Sequence, residues 1–286
     1  MSKKKAQAAE KLRGAEGFDT YYSRLYGARW QPLKAALLQE ACAAAWRTDD
    51  AYLAYFLDRG SIKAALSLPL GGAERILDMC AAPGGKTLVV SSLMDGTAEL
   101  VSNERSHERM MRLSRVADEH LPPSVRARVR VTCGDGARLC LSRTECYDRI
   151  LLDAPCSSER HVLSSPQYLC EWSPARVKTL SVTQWALLSS AFRLLRPGGY
   201  LLYATCALSP AENDEVVARL EKKFSGVQFV RNLPPVPVSA SSFFDGALPD
   251  GEPTAFGVHV LPDSCGGAGP LYFSLIRKGT PAAAGA

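Results

Sequence analysis

A strand, a glycine turn and a helix follow one another between residues 76 and 94, and this succession constrains the fold more than any other segment. Residues 76–78 form a short apolar run that ends in an acid, which is typical of a buried parallel strand. The turn at residues 83–85 leads into an apolar segment, 88–94, which predicts a helix. Small residues let a backbone approach a ligand closely, and a helix N-terminus offers free N–H groups. We therefore predict a ligand-binding turn at the end of a parallel strand.

Strand-like and helix-like segments alternate through the rest of the chain. Further strands are predicted at residues 98–102, 125–131, 147–152 and 200–204, and helices at 106–119 and from Ser173-Pro174 onward. This alternation is typical of βαβ units, so we predict an α/β fold with a doubly wound, mostly parallel sheet. Residues 256–261 and 271–276 would close it as an antiparallel pair. The capping box at residues 209–212 predicts one more helix.

Four regions are expected along the chain. We predict a basic, flexible arm at residues 1–17, a helical N-terminal extension at 18–70, the main α/β domain at 71–278 and a disordered tail at 279–286. Residues 33–46 are rich in alanine and leucine, which predicts helix across them. Residues 18–30 interleave aromatic side chains with arginines. We expect this segment to pack on the main domain, with stacking on a nucleic acid as the alternative.

Charge, hydropathy and cysteine content exclude several classes of protein. A net charge of +5 permits an anionic partner without requiring one. No apolar segment approaches the ~20 residues that a membrane span needs. The N-terminal lysines are not followed by the apolar core of a secretory signal, and a mitochondrial presequence stays open. Nine cysteines without a C-x-x-C spacing predict free thiols, an intracellular location and no bound metal.

Three kinds of ligand suit a strand, glycine turn and helix. A dinucleotide favours a G-x-G-x-x-G pattern, whereas only two adjacent glycines are present. A nucleoside triphosphate is a near match, because residues 85–87 resemble the second half of a P-loop. However, Cys80 stands where its first glycine belongs, and Pro83 removes an amide donor. S-adenosylmethionine has no phosphates and needs only a turn of close approach.

Two acids fit the ribose and the adenine of S-adenosylmethionine. Glu104 ends the second predicted strand, 19 positions after Gly85, close to the ~20 expected for an acid that binds a ribose hydroxyl. Asp135 follows the third strand and would lie beside the adenine. Ligands of open α/β sheets bind at the carboxyl ends of the strands, where both acids are predicted.

Two cysteines follow the fourth and fifth predicted strands at the same edge of the sheet. Cys156 stands in an Asp-Ala-Pro-Cys context and Cys206 in an Ala-Thr-Cys context, both beyond the strand ends. A thiolate beside a methyl donor suggests transfer to a weakly nucleophilic carbon. Addition of a thiolate to C6 of a pyrimidine makes C5 nucleophilic enough to take the methyl group.

The motifs that carry this chemistry resemble those of a known family. Residues 76–87, 153–158 and 203–213 are similar to three signature motifs of the Nop2/Sun (RsmB-like) family of S-adenosylmethionine-dependent RNA cytosine-5 methyltransferases. Residues 55–70 and 269–273 also match. Residues 18–30 most resemble the short mitochondrial members. The resemblance implies a Rossmann-like class I methyltransferase fold.

The resemblance also implies a role for each matched residue. Cys206 would be the nucleophile on C6, Cys156 would assist release of the methylated base, and Asp153 would face the cytosine and the cofactor. The target base must leave any stack to be reached, and Arg160 and His161 are expected to contact RNA because they lie just past Cys156. The residues implied in binding S-adenosylmethionine are Cys80, Ala81, Ala82, Pro83, Gly84, Gly85, Lys86, Glu104, Arg109, Asp135 and Asp153.

The predicted activity is methyl transfer to C5 of a cytosine in tRNA or rRNA. The alternative is a catalytically silent RNA-binding ribosome-assembly factor with the same fold, and a P-loop-like NTPase is the less favoured one. No separate RNA-binding domain is evident, so we expect a partner protein or a preformed RNA shape to supply part of the affinity. The resemblance suggests a mitochondrial location, with the cytoplasm and nucleus left open.

Overall fold

The computed structural model describes residues 12–280, and a nine-stranded sheet forms the centre of the main domain. Its strands are β3 (Arg75–Asp78), β4 (Glu99–Glu104), β5 (Val129–Cys133), β6 (Tyr147–Asp153), β7 (Leu195–Thr205), β8 (Val227–Phe229), β9 (Glu252–Pro253), β10 (Val258–Val260) and β11 (Leu271–Lys278). A separate two-stranded sheet pairs β1 (Ala43–Trp46) with β2 (Tyr55–Asp58) in antiparallel fashion.

Helices cover both faces of the sheet and form much of the N-terminal extension. They are α1 (Gly14–Tyr26), α2 (Trp30–Leu37), α3 (Arg59–Leu66), α4 (Gly85–Leu93), α5 (His107–His120), α6 (Pro123–Arg126), α7 (Glu159–Ser164), α8 (Pro166–Glu171), α9 (Pro174–Leu194), α10 (Asp214–Val217) and α11 (Arg219–Lys223). Short 3₁₀ turns occur at Gly27–Arg29, Gly136–Leu141, Pro210–Glu212 and Val238–Ser242. Within residues 12–280, no helix has the length and apolar character needed to cross a membrane.

The strand order is β5-β4-β3-β6-β7-β11-β10-β9, and β8 also pairs with β11. The first five strands in this order, β5, β4, β3, β6 and β7, are parallel to one another, and β11 is antiparallel to β7. This confirms the predicted Rossmann-like, doubly wound sheet with an antiparallel C-terminal strand. The chain runs from β3 through β4 to β5 and then returns to β6 on the other side of β3. The ligand crevice of such a sheet lies at this reversal, between β3 and β6.

The two faces of the sheet bury separate apolar clusters. Neighbouring residues of β3, Ile76 and Leu77, belong to different clusters because successive side chains of a strand point to opposite faces. Val89 of α4 packs in the cluster of Ile76, and Leu188 of α9 packs in that of Leu77. Each helix therefore covers one face, and the loops at the strand ends stay open to a ligand.

The aromatic residues of the extension pack on the main domain, as expected. Phe18, Tyr22 and Trp30 are fully buried and form a cluster with Trp172, which follows α8. The ring centroids of Phe18 and Trp172 are 5.2 Å apart, and those of Tyr22 and Trp30 are 5.2 Å apart. This cluster fixes α1 against the segment that follows the fourth predicted strand.

The predicted helix over residues 33–46 is wrong in its second half. Helix α2 ends at Leu37, and Ala43–Trp46 forms β1. Trp46 is fully buried and stacks on Phe243 with ring centroids 5.1 Å apart, while its Nε1 donates to Ser92 Oγ. These contacts outweigh the helix propensity of the alanines, which amounts to a few tenths of a kcal/mol per residue. The extension therefore contains a β-hairpin as well as helices.

Two further boundaries differ from the predictions. Strand β5 begins at Val129, because Pro123 occupies the first position of α6 and starts a helical turn where strand was predicted. Helix α1 begins at Gly14, inside the predicted basic arm. The rest of that arm, residues 1–11, and residues 281–286 of the predicted tail lie outside the described residues.

Candidate active site

The turn after β3 leaves no space for side chains on its two glycines. Gly84 has a φ of +121°, and a Cβ there would lie 2.9 Å from Val116 Cγ1 of α5. A Cβ on Gly85 would lie 2.9 Å from the ring of Tyr55. Glycine is therefore required at both positions, since it brings the N-terminus of α4 close to β2 and α5.

Replacement of Gly84 by alanine is expected to destabilise the fold by about 1–3 kcal/mol, because it adds a clash to a disfavoured backbone conformation. Denaturant unfolding measures this loss. Gly96→Ala is the matched control, since Gly96 has open space around it and no positive φ. Equal losses for the two variants would contradict the packing argument.

Asp78, the last residue of β3, anchors the first turn of α4. Its carboxyl is almost fully buried, and the Thr87 hydroxyl donates to its Oδ2 over 2.7 Å. Burial raises the pKa of Asp78 to about 7. Asp78 therefore stabilises the turn at residues 83–85 through its hydrogen bond to Thr87.

A cavity of about 760 Å³ opens at the carboxyl ends of the central strands and brings the predicted cofactor and thiol residues together. A smaller one of about 230 Å³ adjoins it on the side of α4 and β2. Among the predicted residues, the first is lined by Cys80, Ala82, Glu104, Arg109, Asp135, Asp153, Cys156 and Cys206, and the second by Cys80, Ala81, Ala82, Pro83, Gly85, Lys86 and Asp153. Gly84 lines neither and instead shapes the turn.

Glu104 places an unused acceptor at the cavity wall. Its side chain is 3% exposed, and its Oε1 accepts from the Ser106 N–H over 3.0 Å. Its Oε2 is buried and accepts no hydrogen bond from residues 12–280, although Arg109 Nη1 lies 3.3 Å away as an ion-pair partner. Arg109 also donates to the Ala82 carbonyl over 2.8 Å. The arginine thus links the acid to the turn and leaves an oxygen for a ligand.

Asp135 and Asn103 hold the loops around this wall. Asp135 Oδ1 accepts from the Ala137 N–H over 3.1 Å and begins the 3₁₀ turn Gly136–Leu141. The Asn103 amide donates to the carbonyls of Met79 and Gly134, so it ties the loops after β3 and β5 together. Sequence reasoning gave Asn103 no role, although its place beside Glu104 at a strand end was a usable signal.

The thiols of Cys156 and Cys206 meet at the other side of the cavity. Their Sγ atoms lie 2.7 Å apart, and the Cys206 N–H donates to Cys156 Sγ over 3.3 Å. Ser158 Oγ lies 3.5 Å from Cys156 Sγ and 3.3 Å from Cys206 Sγ. Ser158 takes a left-handed backbone conformation, with a φ of 56°, that is uncommon for a residue with a side chain. This conformation places the Ser158 hydroxyl in contact with both thiols.

The two thiols differ in their surroundings. Cys156 is buried, and the contact with Cys206 and burial raise its pKa well above the usual range. Cys156 therefore stays protonated and can donate to its neighbour. Cys206 is partly exposed, and the Lys86 ammonium lies close enough for the charges of the two groups to interact. Cys206 is the better placed of the two to contact a bound base, because its side chain is the more exposed at the cavity wall.

Asp153 and Lys86 form an ion pair beside the thiols. Lys86 Nζ lies 2.7 Å from Asp153 Oδ2 and 3.2 Å from Ser61 Oγ. Burial opposes the charge of Lys86, but the Asp153 carboxylate outweighs it and raises the pKa of the lysine. Asp153 lines both cavities and Lys86 lines the smaller one, so the ion pair lies where the two cavities adjoin.

The structure places Arg160 against backbone carbonyls, and its predicted RNA contact stays a prediction. Its guanidinium points inward and donates to the carbonyls of Gln39, Gly267 and Gly269. These bonds join α7 to the extension and to the loop before β11. His161 is exposed and lies against Tyr168, with ring centroids 5.1 Å apart. Its predicted RNA contact stays a prediction.

Two buried carboxyls behind the thiols were missed by sequence reasoning. Glu159 and Glu212 are fully buried and both contact the Ser157 hydroxyl. The capping-box interpretation of Glu212 is wrong: Ser209 Oγ accepts from the Ala211 N–H, but Glu212 turns into the protein. In place of the one helix predicted there, the chain forms a 3₁₀ turn and two short helices. Among residues 12–280, no cluster of acids, histidines and cysteines suits a metal ion.

The comparisons with protein families and curated relatives agree on one kind of protein. The family model described as 16S rRNA methyltransferase RsmB/F matches residues 65–239. The chain is 34% identical over 227 residues to a mitochondrial tRNA (cytosine(34)-C(5))-methyltransferase of Danio rerio, covering 78% of this chain and 60% of the relative. It is also 34% identical over 232 residues to the 5-cytosine rRNA methyltransferase NSUN4 of Bos taurus, covering 77% and 58%. The chain thus spans less than two thirds of these relatives.

A solved structure shows the same fold over nearly the whole chain. The methyltransferase homologue protein of Pyrococcus horikoshii superposes with a TM-score of 0.70 at 19% identity. The match covers 97% of this chain and 100% of the other. The N-terminal extension and the sheet are therefore parts of one recurring architecture.

Proposed function

The chain belongs to the RsmB/F methyltransferase family, and we propose that it transfers a methyl group from S-adenosylmethionine to C5 of a cytosine in RNA. One observation carries the proposal: Cys156 and Cys206 meet, Sγ to Sγ over 2.7 Å, at the wall of a cavity that Glu104 and Asp135 also line. A methyl donor alone needs no thiol. Paired thiols beside its site fit an acceptor carbon that must be activated by covalent addition.

The residues of the larger cavity fit S-adenosylmethionine. Glu104 Oε2 is a buried acceptor that receives no hydrogen bond within the described part of the chain, which suits a ribose hydroxyl. Asp135 follows the neighbouring strand and suits the adenine side, and the turn after β3 suits the methionine part through its backbone. When bound, S-adenosylmethionine supplies an electrophilic methyl group. Cys80 and Asp153 line both cavities, so they would lie between this ligand and Lys86.

Replacement of Glu104 by glutamine is expected to weaken S-adenosylmethionine binding about 10- to 100-fold. Hydrogen bonds to charged groups contribute ~1.5–3 kcal/mol, and ~1.4 kcal/mol corresponds to tenfold in affinity. Isothermal titration calorimetry measures the dissociation constant. Glu108→Gln is the control, because Glu108 is exposed on α5. A wild-type affinity in Glu104→Gln would remove the ribose role.

In the proposed mechanism the chain's own groups act in sequence. The Cys206 thiolate adds to C6 of a cytosine, and the C5–C6 π electrons move to C5, which takes the methyl group. A base then removes the C5 proton, the C5–C6 double bond reforms, and the bond from C6 to Cys206 breaks. Cys156 assists this release, as its protonated thiol touches the leaving sulfur. Asp153, which pairs with Lys86, hydrogen-bonds the cytosine ring and favours its protonated, electron-poor form.

The substrate class is proposed from the names of the relatives, which act on tRNA and rRNA cytosines. We propose a mitochondrial location on the same ground, and a partner protein as one source of RNA affinity. The target cytosine must be unstacked to reach the thiols, so a loop or a single strand is expected.

Nucleoside mass spectrometry of RNA incubated with the protein and labelled S-adenosylmethionine tests the activity. We expect label in 5-methylcytidine. RNA binding without any methylated cytidine, across total tRNA and rRNA from depleted cells, would favour the silent assembly factor instead. Stabilisation by ATP but not by S-adenosylmethionine would favour the NTPase.

A further inference from the structure

Glu159 and Glu212 cross between the two thiol loops. Glu159 lies three residues after Cys156, yet its Oε2 accepts from the Leu208 N–H, two residues after Cys206, over 3.0 Å. Glu212 lies in the loop after Cys206, yet its Oε1 accepts from the Ser157 N–H, next to Cys156, over 3.0 Å. Each loop thus binds the backbone of the other through a buried carboxyl.

The hydroxyl of Ser157 lies between the two carboxyls and contacts Glu159 Oε1 and Glu212 Oε2. A hydroxyl carries one hydrogen and can donate to only one of them. Two ionised carboxylates would leave the second contact as oxygen against oxygen in a site without water access. A proton on one carboxyl satisfies both contacts.

The surrounding donors decide which carboxyl holds this proton. Glu159 accepts from the Tyr22 hydroxyl of α1 as well as from Leu208 N–H, so both its oxygens already face donors. Glu212 Oε1 accepts from Ser157 N–H and from Gln184 Nε2 over 2.8 Å. Glu212 Oε2 faces only the Ser157 hydroxyl among the hydrogen-bond partners within residues 12–280, and is therefore free to carry the hydrogen.

We propose that Glu159 and Glu212 share one proton, held on Glu212, and act as positioning residues that set the spacing of Cys156 and Cys206. Ser157 then accepts from Glu212 and donates to Glu159, which carries the single negative charge. The N-terminal extension contributes to this arrangement, because the Tyr22 hydroxyl donates a hydrogen bond to the charged carboxylate of Glu159. The inference rests on the proposed roles of the two thiols, but the protonation of the pair and the spacing of the thiols can be measured without methyl transfer.

The titration of the pair has a defined direction. Burial, together with the charge of Glu159, raises the pKa of Glu212 above the usual range of a glutamate, to about 7. The protonated form therefore favours folding at low pH, and this contribution is lost as the pH rises through about 7. The other titratable and charged groups around the pair are Tyr21, Tyr22, Tyr26, Cys156, Tyr203, Glu215 and Arg219.

None of the surrounding phenols or the thiol accounts for a transition near neutral pH. Burial raises the pKa values of Tyr21, Tyr22, Tyr26 and Tyr203, and the Cys206 contact with burial raises that of Cys156. These groups therefore titrate above the range in which Glu212 loses its proton.

The glutamine variants distinguish the two positions. In Glu212→Gln, the amide oxygen accepts from Ser157 N–H and Gln184, and the amide nitrogen donates to the Ser157 hydroxyl, so every bond of the protonated acid is kept. In Glu159→Gln, the amide nitrogen opposes either the Leu208 N–H or the Tyr22 hydroxyl. We expect Glu212→Gln to keep the fold and to show a smaller decline of Tm than wild type as the pH rises through 7, because the contribution of Asp78, whose pKa is also about 7, remains.

Oxidation by diamide reads the spacing of the thiols directly. Cys156 and Cys206 lose two hydrogens to the diazene and form a disulfide, which peptide mass spectrometry quantifies. We expect Glu212→Gln to form the disulfide at the wild-type rate and Glu159→Gln to form it at least about tenfold more slowly. S-adenosylmethionine is expected to raise the Tm of both variants. Equal rates in the two variants, or an unchanged pH slope of Tm in Glu212→Gln, would overturn the proposal. If Glu159→Gln does not fold, the pH slope of Glu212→Gln decides alone.

Discussion

Replacement of Cys206 by alanine is expected to lower methyl transfer at least about a thousandfold, which corresponds to ~4 kcal/mol of barrier. It removes the only step that makes C5 nucleophilic. On RNA containing 5-azacytosine, wild type is expected to form a covalent adduct that resists denaturing electrophoresis. Cys206→Ala is expected to form none. An adduct formed by a folded Cys206→Ala protein would contradict the assignment.

The Cys156→Ala variant separates the two thiols. Its Cys206 is intact, so addition and methylation proceed, but the neutral thiol 2.7 Å from the leaving sulfur is gone. We expect a protein–RNA adduct to accumulate on ordinary RNA, with little turnover. Cys170→Ala, an exposed cysteine of α8, is the control and is expected to behave as wild type. Normal turnover by Cys156→Ala would make that thiol structural.

Replacement of Asp153 by asparagine is expected to lower kcat about a hundredfold or more, with a smaller loss of S-adenosylmethionine affinity because the residue also faces the cofactor cavity. The variant keeps the shape of the side chain but removes the charge that pairs with Lys86 over 2.7 Å and favours the electron-poor base. Because the Asp153 side chain is 33% exposed, loss of the pair is expected to cost less stability than the ~3–5 kcal/mol of a fully buried pair. Single-turnover methylation measures the effect on the chemical step, and calorimetric titration measures the affinity for S-adenosylmethionine.

Asp148→Asn supplies the matched control for this prediction. Asp148 lies near the start of the same strand, β6, and pairs with Arg196 over 2.8 Å, far from the cavity. It loses an ion pair of the same kind without touching the site. If Asp148→Asn lowers kcat as much as Asp153→Asn does, the effect of Asp153 is one of stability and its catalytic role is wrong.

The sequence predicted those parts of the fold that local patterns encode. The alternation of apolar strands and helices was enough for the doubly wound sheet, and the acid and cysteine positions beyond strand ends were enough for the cavity wall. Glu104, Asp135, Cys156 and Cys206 meet there because parallel strands end at one edge of a sheet. No long-range contact had to be known for that conclusion.

The predictions that failed depend on contacts between distant segments. Trp46 lies in a strand since it packs on Phe243, almost two hundred residues away in the chain. The contacts of Arg160 with the carbonyls of Gln39 and Gly269 were likewise not foreseen, because only folding brings those carbonyls to it. A residue just past a cysteine motif gives no local sign of this.

The sequence by itself determined the strand–turn–helix at residues 76–94, the edge of the sheet where a ligand binds and the two thiols that lie there. Those features follow from residue type and spacing, which are properties of short segments. Only the tertiary structure decided how the thiols are held. Sequence reasoning assigned Glu159 no role and predicted Glu212 as part of a helix cap. They form a buried pair because α1, α9 and the two cysteine loops close around Ser157.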